Sequence, residues 1–170
     1  MMSSSAPSRP APTLKARALR HLARREHSRA ELAGKLAPHE PDAALVQQLL
    51  DQLQAQGWLS DERFAAALVR AKASRYGVRR LRADLQAKGL SAASATHALQ
   101  SHPSDELDRA HAWWLRKFGQ PPQTPHERAK QVRHLLSRGF EPDVVRRVVP
   151  GVEPGVAPDT AAHDGEAIDD

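Results

Sequence analysis

The sequence predicts an all-α protein built from three tandem three-helix units, and three observations lead there. Helix formers dominate: 29 alanines and 19 leucines stand against ten valines, four threonines and one isoleucine. Ala and Leu lose little freedom on entering a helix, whereas β-branched residues favour strands. The 13 prolines avoid the stretch between Pro41 and Pro103 and otherwise fall in the tails, in loops or near helix starts (Pro41, Pro125, Pro142), where a missing N–H leaves nothing unsatisfied. Apolar residues recur three or four positions apart in nine successive segments, the period of an amphipathic helix.

The first helix is expected over 14–25, with Leu14, Ala18 and Leu22 as its apolar stripe. Ser28 opens the second. Glu31, three positions on, gives capping-box spacing, in which each side chain meets the other residue's free backbone N–H, and Pro38 stops the helix. The third spans 41–56 with Leu45, Leu49 and Leu53 on one face, and Gly57 ends it in a left-handed turn. Ser60 caps the fourth, which carries Phe64, Ala67, Leu68 and Ala71 and is broken by Tyr76 and Gly77. Val78, Leu81 and Leu85 line the fifth, closed by Lys88, Gly89 and Leu90; Ser91 caps a short sixth ending near Gln100. Ser104 or Asp105 begins the seventh, with Leu107, Ala110, Trp114 and Phe118 inward. After a Pro-rich loop the eighth covers 125–138, closed by Gly139 and Phe140, and the ninth covers 142–149.

These nine helices fall into units at 14–59, 60–102 and 103–150, between a Ser/Pro/Ala-rich segment (1–13) and an acidic tail (151–170), both expected to be disordered. The clearest internal echo sets LQAKGL (85–90) against LLSRGF (135–140), with Gly89 and Gly139 50 positions apart. Gly57, Trp58 and Leu59 play a similar part in the first unit, one helix later. A three-helix unit buries little core by itself, so neighbours must share surface, which favours an elongated array able to curve.

Charge narrows the partners. The chain of 170 residues holds 25 Lys+Arg and 20 Asp+Glu, a net +5. Six of the acids and none of the bases lie in 151–170, so residues 1–150 carry +11. Such a body favours a polyanionic or acidic partner. Cysteine is absent, which removes disulfides, thiolate metal sites, Fe–S ligation and cysteine nucleophiles. No apolar run approaches the ~18 residues of a membrane span. Residues 1–13 lack the apolar core of a signal peptide, so a cytoplasmic protein with no membrane contact is expected.

Residues 57–65, GWLSDERFA, resemble the central signature of the bacterial RecX regulatory proteins. Residues 18–32, ALRHLARREHSRAEL, resemble that family's first repeat; 77–90, GVRRLRADLQAKGL, its second; and 135–140, LLSRGF, its third. The resemblance covers residues 14–150. It implies tandem three-helix repeats and a regulator of the RecA recombinase rather than an enzyme. Family members lie in the helical groove of the RecA–DNA filament, where they limit filament growth and suppress ATP hydrolysis and strand exchange; some also bind DNA.

The residues themselves place a contact surface on the basic helix faces. In the first unit Arg17, Arg20 and Arg24 fall within about 60° of one another on a helical wheel, away from the apolar stripe, and Arg25 and Arg29 continue the patch. In the second unit the candidates are Lys72, Arg75, Arg79, Arg80, Arg82 and Lys88; with Arg70 they put seven bases and one acid, Asp84, into residues 70–88. The third adds Lys130, Arg133 and Arg138, while Arg146 and Arg147 sit where a helix C-terminus attracts cations anyway. Arginine clamps phosphates or carboxylates with two parallel hydrogen bonds. Such faces suit the phosphates of single- or double-stranded DNA or the acidic surface of a partner protein, and the resemblance implies the RecA filament as that partner. A solvated helix face explains any one of these residues, but not the density of the 70–88 stretch.

Other constellations are bland. Trp58, Phe64 and Phe118 read as core. Trp113 and Trp114 point 100° apart, so one packs between units or meets a ligand. Tyr76 reads as a helix-end packing contact before a base-stacking one. The nine histidines lack metal-site spacing, acids such as Asp61 and Glu62 suit helix starts, and there is no glycine-rich phosphate loop. No metal, cofactor or catalytic residue is expected, and the protein is expected to be a monomer. The competing function is a helical DNA-binding module such as a transcription regulator. The helix after Gly77 offers arginines and a single amide, Gln86, which suits phosphates better than base edges. The acidic tail either solubilises the chain or covers its basic face.

Overall fold

The computed structural model describes residues 11–152. Among these the regular elements are all helical: α1 (Leu14–Leu22), α2 (Arg29–Leu36), a 3-10 turn (Ala37–His39), α3 (Ala43–Ala55), α4 (Asp61–Lys72), α5 (Val78–Ala87), α6 (Ala92–Gln100), α7 (Glu106–Lys117), α8 (Pro125–Ser137) and α9 (Pro142–Val148). Expectations for the two tails fall almost wholly outside the described residues.

Local chemistry sets the helix ends. Thr13, Ser28, Asp42, Ser60, Ser91 and Thr124 each place a side-chain oxygen on a free N–H of the first turn, a cap worth about 1 kcal/mol. At the C-termini of α5 and α8 the echoed motifs form the same closure. Gly89 N–H donates to the Gln86 carbonyl and Leu90 N–H to that of Leu85; Gly139 and Phe140 repeat this on Leu136 and Leu135. Glycine is needed there because φ is +86° and +81°, and the apolar residue after it is driven inward.

Each helix triplet has its own core. Ala18, Leu32, Leu36, Leu50 and Leu53 centre the first, Phe64, Leu81, Leu85 and Ala95 the second, and Trp113, Trp114, Leu135, Phe140 and Val145 the third. Three expectations change here. Leu45 is 46% exposed and Val46 takes its place, because four-residue steps drift around the helix and the buried face is set by 46, 49, 50 and 53. On α4 the buried set is Phe64, Ala65 and Val69, and Ala71 is exposed. Trp58 is 57% exposed while Leu59 is buried. In the α3 closure both of their N–H groups donate to the Leu53 carbonyl, and Leu59 is the inward anchor.

The triplets dock by one repeated device. The N-terminus of a middle helix is covered by the next triplet. Ser28, the N-cap of α2, donates its hydroxyl to the Lys88 carbonyl at 2.7 Å, and Arg29 N–H donates to Asp61 Oδ1 at 2.7 Å. One triplet on, Gly77, the N-cap of α5, donates its N–H to the Arg138 carbonyl at 3.0 Å, and Val78 N–H donates to Glu106 Oε1 at 2.8 Å. Lys88 and Arg138 are the C-caps of α5 and α8, and Asp61 and Glu106 are the first residues of α4 and α7. Middle helices therefore meet C-terminus to N-terminus, with carbonyls and a carboxylate on N–H groups that have no partner in their own helix. Glu106 also accepts from Glu141 N–H; burial pushes its carboxyl above the ordinary value, with the two N–H donors opposing.

The series also ends by local chemistry. The first residue of α8 is Pro125, which has no N–H, and Thr124 and Glu127 satisfy the neighbouring donors within the same turn. At the other end α2 runs into Ala37, Pro38 and His39 instead of a glycine closure.

The docking device makes a prediction. A Cβ at position 77 would overlap the Gly139 carbonyl oxygen and the Phe140 backbone, so Gly77→Ala is expected to cost about 2 kcal/mol or more in chemical denaturation. Gly34, in α2, faces open space, and Gly34→Ala is expected to stabilise by about 0.5–1 kcal/mol.

Candidate functional site

The fourteen basic residues singled out by sequence divide into those the fold employs and those it leaves free. In the first triplet Arg17, Arg20 and Arg24 line one cleft of about 210 Å³ with His21 and His39. Helix α1 stops at Leu22, three residues earlier than expected, so Arg24 reaches that cleft from the following turn. None of the three joins an ion pair among the described residues. Burial, then the neighbouring cations led by Lys35, keeps the His21 imidazole below its ordinary pKa.

Arg25 and Arg29 are engaged inside the protein. Arg25 pairs with Glu31 at 2.9 Å, and Lys88 reaches the same carboxylate at 2.8 Å from the second triplet. Glu31 therefore does not return to Ser28 to complete a capping box; only the Ser28 half forms, on Glu31 N–H. The Arg25 hydrogen bond, and then that of Lys88, hold the Glu31 carboxyl down to about 2 against the opposing effect of burial. Arg29 binds Asp51 at 2.7 Å and Gln47 at 2.6 Å, and also meets Gln54. It ties α2 to α3.

In the second triplet Asp84 takes Lys72 at 2.6 Å and Arg80 at 3.1 Å. Burial works against its ionisation, but the two cations keep its carboxyl below the ordinary value. Arg75 and Arg79 are exposed, Arg82 is half-buried, and none of the three is ion-paired among the described residues. Arg79 and Arg82 stand one turn apart on α5, off the Leu81–Leu85 seam.

In the third triplet Lys130 and Arg133 are exposed and likewise free of ion pairs among the described residues. Arg138 is not free in that sense. Its guanidinium lies over Tyr76 at 5.5 Å and over Trp113 at 5.3 Å, and Arg80 approaches Tyr76 at 5.8 Å. Tyr76 is thus a junction residue between cations, as helix-end packing requires. Both tryptophans are buried, although they point apart. Gln131 and His134, one turn apart on α8, take one each: Trp114 Nε1 donates to Gln131 Oε1 at 2.8 Å, and Trp113 stacks on His134 at 4.7 Å.

Two junction arginines carry no distinctive sequence signal of their own. Arg63 bridges to Glu26 at 2.8 Å and donates to the Trp58 carbonyl, and Arg116 donates to the Ser74 carbonyl. Arg63 at least lies within the 57–65 motif. The apolar groove between α4 and α6, about 590 Å³ and lined by Ala66, Val69 and Ala98 among others, is away from the free arginines of α1 and α5. Among the described residues no three His, Asp or Glu side chains converge as metal ligands, and no helix is long and apolar enough to cross a membrane.

Comparison with known proteins bears on what this surface serves. Family models described as the first, second and third three-helix domains of RecX match residues 15–53, 60–99 and 104–149. The chain is similar to the "Regulatory protein RecX" of Leptothrix cholodnii, 52% identical over 144 residues that cover 85% of this chain and 92% of that one. It is 47% identical to that of Ralstonia nicotianae over 141 residues, covering 83% and 89%. The crystal structure of RecX from Lactobacillus salivarius superposes with a TM-score of 0.70 at 18% identity, over 79% of this chain and 91% of that one, which speaks to the fold.

The Glu31 cluster predicts an acid-sensitive junction. A carboxyl depressed in the folded state contributes stability above its unfolded pKa and loses it as pH falls through its folded value. The Lys88–Glu31–Arg25 contribution, of the order of 1 kcal/mol with half-exposed cations, is therefore expected to be full above about 4.5 and gone near about 2. Urea denaturation from pH 6 to pH 2 checks this, and Glu31→Gln is expected to flatten that part of the profile.

Proposed function

The chain belongs to the RecX family of regulatory proteins, and from that premise we propose that it binds the RecA recombinase or its DNA filament and restrains filament extension, ATP hydrolysis and strand exchange, with no reaction of its own. Supporting this reading is the recurrence of free cations on every triplet: Arg17, Arg20 and Arg24 on the first, Arg75, Arg79 and Arg82 on the second, Lys130 and Arg133 on the third. Eight donors without a paired carboxylate among the described residues suit a long, periodic polyanion better than a compact ligand. A nucleoprotein filament offers phosphates and acidic side chains along one axis, and an array of docked triplets offers its cations along another. Arginine predominates in the set, and arginine makes bidentate contacts to either acceptor. We take the protein to work in the cytoplasm as a monomer.

Recombinase ATPase on single-stranded DNA tests the proposal. Inhibition is expected at protein well below the recombinase concentration, with shortened filaments by electron microscopy. Unchanged ATPase and unchanged filaments at physiological ionic strength sink it. Inhibition only at protein sufficient to coat the DNA favours the plain DNA-binding module instead. The double variant Arg79→Glu/Arg82→Glu is expected to weaken inhibition about tenfold or more, and to flatten its salt dependence by about two counterions' worth if both residues sit on phosphates. Helicity by circular dichroism should be unchanged, because neither side chain is ion-paired within the described residues.

A further inference from the structure

The third triplet differs from the first two at the N-terminus of its middle helix. In the first two triplets the N-terminus of the middle helix is covered by the triplet that follows, through Asp61 and Lys88 on α2 and through Glu106 and Arg138 on α5. Among the described residues no triplet follows α9. Alongside α8, starting at its first residue, lies a cleft of about 590 Å³ lined by Pro125, Arg128, Ala129, Val132 and Arg133, with Gly151 and Val152. We propose that residues 153–170 fold back over this cleft and compete there with an external polyanion. The last clause rests on the polyanion reading of the basic face given above.

Three observations point to this occupant. The first is where the described chain ends. Arg128 Nε donates to the Pro150 carbonyl at 3.1 Å, and Gly151 and Val152 already form part of the cleft wall. The second is charge. Residues 153–170 hold six acids and no Lys or Arg. The cleft presents Arg128 and Arg133, Lys130 lies on the same helix, and none of the three is ion-paired among the described residues. The third is reach. An 18-residue segment spans up to ~60 Å when extended, so reach is not limiting. Pro125 removes the N–H that Asp61 and Glu106 take elsewhere, so the tail is held by guanidinium groups rather than by a backbone cap.

The experiment uses the complete chain and a chain ending at Val152, which keeps all three cores. The probe is a fluorescein-labelled peptide of residues 153–170. At low salt the peptide is expected to bind the shortened chain and to bind the complete chain at least about tenfold more weakly, because a tethered tail acts at a high effective concentration. Arg128→Glu/Arg133→Glu in the shortened chain is expected to weaken peptide binding by about tenfold or more. Arg133→Glu alone, at an exposed position, should move it the same way. Equal binding to both chains, no binding, or binding indifferent to these substitutions overturns the docking. A thirty-nucleotide oligo(dT) then tests competition. The shortened chain is expected to bind it about threefold or more tighter, the gap closing by about 0.3 M salt. Equal affinities overturn the competition. If neither chain binds the oligonucleotide, the polyanion reading fails, while the peptide titration still decides the docking.

Discussion

A helix begins with N–H groups that no residue of the same helix can satisfy, and in α2 and α5 these groups are met by the triplet that comes next. A carbonyl from the following glycine closure and a carboxylate from the first turn of the following helix arrive together. Both are drawn by the positive end of the helix they meet. The cores are separate, so these polar contacts, with the close glycine approaches around them, fix how one triplet sits on another. Without them the protein is three small bundles, each too small to be robust alone.

That arrangement decides which cations remain for a partner. Arg25, Arg29, Lys72, Arg80 and Lys88 are held by Glu31, Asp51 and Asp84, and their charge is largely answered inside the molecule. Arg138 rests between aromatic rings at the second junction. The arginines of α1, together with Arg75, Arg79 and Arg82, have no such neighbour among the described residues. The distinction is one of position. A cation beside a junction meets the acids that build the junction, whereas one on an outer helix face meets solvent.

The ends of the array follow from the same chemistry. A fourth triplet on α8 would find Pro125 where an N–H is required, and a triplet preceding the first would find no glycine closure on α2 to receive. Among the described residues, neither outer triplet presents the paired form of the docking device at its outer side. The surface left over at α8 is cationic, and the segment that leaves it is acidic.

Local patterns in the chain determined a good deal. Helix number and type, the caps at Ser28, Ser60 and Ser91, and the glycine closures at Gly89 and Gly139 follow from interactions within a few residues, which is why spacing alone reveals them. The family was legible in the same way, because its motifs are these closures and caps. Tertiary structure decided the rest. Val46 rather than Leu45 is inward, Trp58 is exposed and both Trp113 and Trp114 are buried, since burial depends on which helix lies across a face. Glu31 left its capping box for Arg25 and Lys88 because the latter comes from 57 residues away. The candidate surface divided likewise: the basic stretch was visible as composition, but pairing is a property of distance in space, and sequence spacing carries that only within a single helix.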